Sequence, residues 1–143
     1  ERNGQYLLVE RQRGDFTGYW GLPGGKIEHQ EHPLQAAVRE ISEETGIQTR
    51  PLCHEGIISE RLPAQQQHFL LHLCTLTPEN DRIQSSEEGR AAWHPYKSLE
   101  KIDMVASDRK MITHLVDTGN THATCVIDQE NNSHRLESFK VQS

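Results

Sequence analysis

Apolar residues in this chain come in short runs, and the period of each run predicts its element. Gln5 to Arg11 has the make-up of a buried strand, and Asn3-Gly4 ahead of it is a hairpin-turn signal. Gln12 to Gly18 follows as a loop, and Tyr19 to Gly25 carries too many glycines for regular structure. Leu34, Ala37, Val38 and Ile41 recur at helical spacing. Pro33 suits the first turn of that helix and Gly46 its C-terminal stop, so a helix is expected from Pro33 to Thr45. Ile57 to Arg61 and Phe69 to Thr77 are expected strands joined by a polar loop that carries Pro63 and Gln65 to Gln67. In the second of them Phe69, Leu71 and Leu73 alternate with His68, Leu70 and His72. Ala91 to His94 reads as a short strand ending at Pro95, and Met104 to Val116 as a helix. Ala123 to Asp128 and Ser133 to Val141 flank Asn131-Asn132 as a terminal hairpin. The mixture predicts the α/β class with a mixed sheet, in a single domain over residues 1–143 with its core at 5–116 and a C-terminal extension at 119–143.

Composition narrows the class. With 143 residues, 34% of them apolar, the chain suits one compact domain with a small core, and its mean hydropathy of −0.76 suits water. Fifteen basic residues against 21 acidic give a net charge of −6, which argues against polymeric nucleic acid or an anionic membrane as a partner. An acidic protein that binds phosphates recruits a cation to do so. Cys53, Cys74 and Cys125 are odd in number and widely spaced, which argues against a disulfide scaffold or zinc ribbon, and the nine histidines include no His-Glu-x-x-His pattern. No apolar stretch approaches the roughly 20 residues that span a bilayer, and no signal peptide is evident, so a cytoplasmic location is expected. The chain opens at Glu1, without Met, almost directly on a strand, so further residues are expected upstream.

The chemistry gathers on the first predicted helix. From Gly25 to Ile47 the chain reads Gly-x5-Glu-x7-Arg-Glu-Ile-x-Glu-Glu-x-Gly-Ile. With Arg39 at zero and about 100° per residue, Glu43 falls near 40°, Glu40 near 100° and Glu44 near 140°, beside an apolar arc at about 160–260°. Three carboxylates on one stripe repel one another unless solvent or a cation separates them, and such a cluster suits Mg2+ or Mn2+. The Gly24-Gly25 loop lies directly before this helix, so its backbone can approach the same place. A cation there would neutralise the oxygens of a diphosphate and lower the pKa of an attacking water. Arg39 is placed to orient the carboxylates.

Gly25, Glu31, Arg39, Glu40, Ile41, Glu43, Glu44, Gly46 and Ile47 together match the Nudix box, and the chain resembles the Nudix hydrolases. The likeness extends over about residues 5–116, through Trp20-Gly21-Leu22-Pro23-Gly24-Gly25 and Ala92-Trp93-His94-Pro95. It implies an α/β/α sandwich and a Mg2+- or Mn2+-dependent hydrolase of a nucleoside diphosphate linked to another moiety. By that resemblance Glu43 and Glu44 are the principal metal ligands, with the Gly24 carbonyl a further candidate. Glu40 is then a ligand or general base, and Glu31, Gly25 and Gly46 are structural. Arg39 belongs to the catalytic helix, where the resemblance gives it a supporting part. An added acidic ligand would be Glu87 or Glu88.

Arg13, Trp20 and Gly25 are the candidates for binding substrate, and Phe16, Phe69, Trp93 and Tyr96 are further aromatics that could stack on a base. The expected partner is a small nucleotide diphosphate, and a homodimer is an allowed assembly. Among substrates, ADP-ribose or a related nucleotide sugar is favoured, partly because Pro63 stands 16 residues past the box as in ADP-ribose-cleaving members. Leu22 to Glu28 also resembles the enzymes that cleanse nucleoside triphosphates. From another class, a nucleotide sensor without turnover would share the fold, but every box position is filled here.

Overall fold

The computed structural model describes residues 1–14, 16–84, 86–87, 89–119, 121–130 and 133–142. The chain forms two compact units, Glu1–His54 with Cys74–Met104 and Glu55–Leu73 with Val105–Ser143.

In the first unit, β1 (Gln5–Arg11) is the centre of an antiparallel three-stranded sheet, between β2 (Trp20–Gly21) and β5 (Gly89–Pro95). β1 matches its expected range. The turn before it has positive φ at both Asn3 (50°) and Gly4 (74°), which is the two-residue hairpin geometry, closed by reciprocal backbone bonds between Arg2 and Gln5. β2 falls inside Tyr19 to Gly25, where the glycines predict no regular structure. Gly21 can pair with Val9 there because a buried strand position tolerates a residue without a side chain. Strand alternation then divides the sheet. Leu7, Val9, Ala91 and Trp93 face a core with Ile41, Ile47 and Ile83, while Leu8, Glu10, Arg90 and His94 take the opposite face.

Helix α1 (Pro33–Thr45) belongs to this unit and ends as expected. Pro33 opens it, and Gly46 closes it in the left-handed region (φ 73°) with its N–H donating to Ser42 O at 2.9 Å. The expected apolar stripe is only half-buried. The residues of α1 that are fully buried are Ala36, Glu44 and Thr45, so of the three carboxylates only Glu44 is enclosed.

The second sheet has the order β4-β3-β6-β7, built from β3 (Thr49–Leu62), β4 (Gln67–Pro78), β6 (Thr121–Glu130) and β7 (Ser133–Val141). β6 runs parallel to β3 and antiparallel to β7, so the sheet is mixed as expected. β3 begins eight residues earlier than the alternation indicated, because Arg50 to His54 is exposed throughout and carries no period. Pro63 opens a single 3-10 turn, Pro63–Gln65, before β4. In the second unit, α2 (Ala106–Thr118) lies on β6 and β7, burying Met111 and Ile112, while Ala123, Cys125 and Ile127 alternate inward from β6. α2 starts two residues later than expected. Met104 instead bridges to Trp20, and Trp20 N–H donates to Asp103 O at 2.8 Å. The Asn131-Asn132 turn lies outside the described residues. Among the described residues, no helix is long and apolar enough to cross a membrane.

Candidate active site

Arg39 is the hub of the site. Its Nε and Nη2 donate to the two oxygens of Glu31 at 2.6 and 3.0 Å, the parallel two-bond arrangement that guanidinium and carboxylate favour. Nη1 donates to Glu40 Oε1 at 2.9 Å and to Glu43 Oε2 at 3.2 Å, and Nη2 also reaches the Lys26 carbonyl at 3.0 Å. Glu31 Oε2 in turn accepts from the Glu28 N–H at 2.9 Å. One side chain thus ties the loop of residues 26–31 to the helix. The hydrogen bonds from Arg39, then that from Glu28, hold the Glu31 carboxyl below the usual carboxylate range. The same bonds, to Glu31 first and Glu40 second, push the Arg39 guanidinium further from deprotonation.

Two contacts join the helix to the glycine loop. The Glu40 carboxylate lies directly against Gly25, in the space a side chain there would occupy. The Gly24 N–H donates to Glu44 Oε1 at 3.3 Å. Glu44 is buried, Glu40 is half-buried and Glu43 is largely exposed. The helix C-terminus is fixed independently. Buried Thr45 donates from Oγ1 to Ile41 O at 2.7 Å and accepts the Ile47 N–H at 3.2 Å, while its carbonyl accepts the Gln84 N–H at 2.7 Å.

The structure therefore brings together Gly24, Gly25, Glu31, Arg39, Glu40, Glu43 and Glu44. Glu87 is exposed in a turn where Gly89 N–H donates to Ser86 O at 3.3 Å, and Glu88 lies outside the described residues. Arg13 is exposed in the loop before Trp20. Of the aromatics, Phe16 meets Tyr19 edge-on, Tyr96 tilts against Tyr6, and Trp93 lies under the Arg2 guanidinium at 4.5 Å. Trp20 lies on β2, edge-on to His94 with ring centroids 4.4 Å apart, and the Arg90 guanidinium sits 5.2 Å from its ring centre. Sequence reasoning gave no role to Arg90, His94 or the Lys26 carbonyl. For Arg90 a signal existed, since its position across β1 from Trp20 follows once β2 is seen as a strand.

A hard divalent cation is tested by the donors present. Glu40, Glu43 and Glu44 offer only oxygen, and all three border the loop or Arg39, which is the chemistry such an ion takes. Among the described residues, no three His, Cys, Asp or Glu side chains converge into a finished cation cage. Glu40 and Glu43 are turned onto the guanidinium instead.

Residues 1–115 match the model of the NUDIX domain, and the chain belongs to the Nudix hydrolase family. It is 32% identical over 102 residues to the CTP pyrophosphohydrolase of Escherichia coli, covering 70% of this chain and 74% of that protein. It is 27% identical over 112 residues to the ADP-ribose pyrophosphatase of Methanocaldococcus jannaschii, covering 78% of this chain and 65% of that protein. The MutT protein of Bacillus halodurans has the same fold, with a TM-score of 0.73 at 24% identity, covering 98% of this chain and 91% of that one. The chain spans 65% or less of the length of several curated relatives it matches.

Proposed function

We propose that this chain hydrolyses a diphosphate bond in a nucleoside diphosphate derivative, with ADP-ribose or a related nucleotide sugar as the favoured substrate and Mg2+ or Mn2+ as cofactor. The observation that carries the reading is the double junction of helix and glycine loop, Glu40 against Gly25 and Glu44 on the Gly24 N–H. It puts two carboxylates of one helix beside open backbone where a phosphate chain can approach. Glu43 and Glu44 would hold the cation, aided by the Gly24 carbonyl. Glu40, fixed by Arg39 and Gly25, would serve as a further ligand or as the base that takes a proton from the attacking water. When bound, the cation neutralises phosphate oxygens and acidifies that water. Glu31 and Arg39 keep the loop and helix in register, and Glu87 or Glu88 would supply an added carboxylate. The cytoplasm is the proposed location.

The name of the Methanocaldococcus relative supports the ADP-ribose reading. A second reading, cleavage of nucleoside triphosphates, is favoured by the higher identity to the Escherichia coli CTP pyrophosphohydrolase. Both substrates present the same diphosphate, so the choice lies with the groups that meet the base and the distal moiety. The deciding experiment incubates the protein with Mg2+ and a panel of nucleotide diphosphate derivatives and compares kcat/KM for ADP-ribose, CTP and 8-oxo-dGTP. A preference of tenfold or more for a triphosphate, about 1.4 kcal/mol of transition-state binding, overturns the favoured substrate. No turnover of any member overturns the enzyme reading in favour of a sensor.

A further inference from the structure

Trp20, Glu10 and Arg90 stand side by side across β2, β1 and β5, since Glu10 is in register with Trp20 on one side and with Arg90 on the other. Their face of the sheet is the one opposite the Leu7, Val9, Ala91 and Trp93 core. Both Nε and Nη2 of Arg90 donate to a single oxygen of Glu10, at 3.0 and 2.8 Å, which fixes the plane of the guanidinium. The guanidinium carbon lies over the Trp20 ring, 5.2 Å from the ring centre, yet the Arg90 side chain remains 66% exposed. His94 braces Trp20 from the edge, and its own Nε2 is buried with no hydrogen-bond partner among the described residues.

We propose that the outer face of the Arg90 guanidinium, backed by Trp20, is the subsite on which the nucleobase of the substrate stacks. Glu10 already neutralises the Arg90 charge, so a bare phosphate gains little there. A neutral planar ring, in contrast, gains from lying on a fixed guanidinium plane, a surface that accepts any base. The reach also fits. Trp20 is four residues from Gly24, a span of at most about 15 Å at 3.80 Å per step, so a nucleoside and its phosphates suffice to connect this platform to the loop beside Glu44. His94 acts as a positioning residue for Trp20. The inference rests on the reading of this site as one for nucleoside diphosphates, and it adds where the base goes and which residues hold it.

The test is calorimetric binding of AMP and of ribose 5-phosphate, without added metal, to the wild-type chain and to Arg90→Ala and Arg90→Lys. AMP is expected to bind the wild type at least tenfold more tightly than ribose 5-phosphate. Both variants should lose that margin, because lysine keeps the charge and the Glu10 pair but has no plane to stack on. Equal affinities in the wild type, or a margin that survives in Arg90→Lys, overturn the subsite. If Arg90→Ala fails to fold, the lysine variant still decides. Since neither ligand is hydrolysed, the two readings fail separately. ADP-ribose turnover without the AMP margin removes the subsite alone, whereas an AMP margin lost in both variants, with no turnover of the panel, removes the hydrolase alone.

Discussion

The carboxylate of Glu40 occupies the space that a side chain on residue 25 would need, so Gly25 is required for room rather than for a special backbone angle. Gly25→Ala is expected to leave the fold intact and to push Glu40 off its position beside Arg39. Misplacing a catalytic group by about 1 Å can cost on the order of 10²-fold in rate. Measured kcat/KM should therefore fall by roughly that factor while the melting temperature changes little. Unchanged kinetics would mean that the position of Glu40 does not matter to the reaction.

Glu44 and Glu43 differ in burial, and their variants should differ accordingly. Glu44→Gln removes the charge of a buried carboxylate beside Gly24, and Glu43→Gln that of an exposed one. Both should weaken Mn2+ binding measured by calorimetry and reduce turnover at limiting Mg2+, Glu44→Gln by at least about 10–100-fold, as losses at metal sites commonly run. Full activity of both variants at limiting Mg2+ would remove these residues from the cation site.

Much of this arrangement was legible in the sequence because the box is local. Pro33, Gly46 and the i, i+3, i+4 spacing of Glu40, Glu43 and Glu44 fix one helix, and that helix fixes most of the site. What was not legible depends on contacts distant in sequence. Trp20–Gly21 became a strand because β1 offered Val9 and Glu10 as partners, and no run of two residues announces that. Arg50 to His54 extend β3 although their side chains are exposed and without alternation. Arg90 is illegible in the sequence for the same reason as β2, since its neighbour Glu10 is 80 residues away.

The Glu31–Arg39 pair gives a pH signature. Glu31 has a folded-state pKa below its ordinary value, chiefly through Arg39, so it adds stability that is present above the unfolded carboxylate pKa, about 4.3, and is lost as the pH falls through the lower folded value. Glu31→Gln should thus be less stable than wild type near neutrality, and its deficit should shrink below about pH 4. Urea melts at a series of pH values measure this directly, and a deficit independent of pH would contradict it.

Cys125 is fully buried in the second unit, 3.7 Å from Glu60 Oε1, and burial first, then the Glu60 charge, push its thiol up to about 12. Only the thiolate reacts with disulfide reagents, so burial denies both access and ionisation. Cys53 is exposed on β3 and Cys74 is half-buried on β4. Titration of the native protein with an aromatic disulfide near pH 8 should label Cys53 rapidly and Cys74 more slowly. Cys125 should remain unmodified until denaturant is added. Because β6 carries Cys125 between Ala123 and Ile127 against α2, its labelling rate should rise with urea in step with the loss of helical circular dichroism. Rapid native labelling of Cys125, identified by peptide mass, would show that β6 opens without unfolding and that the packing of α2 on β6 and β7 is looser than its buried Met111 and Ile112 imply.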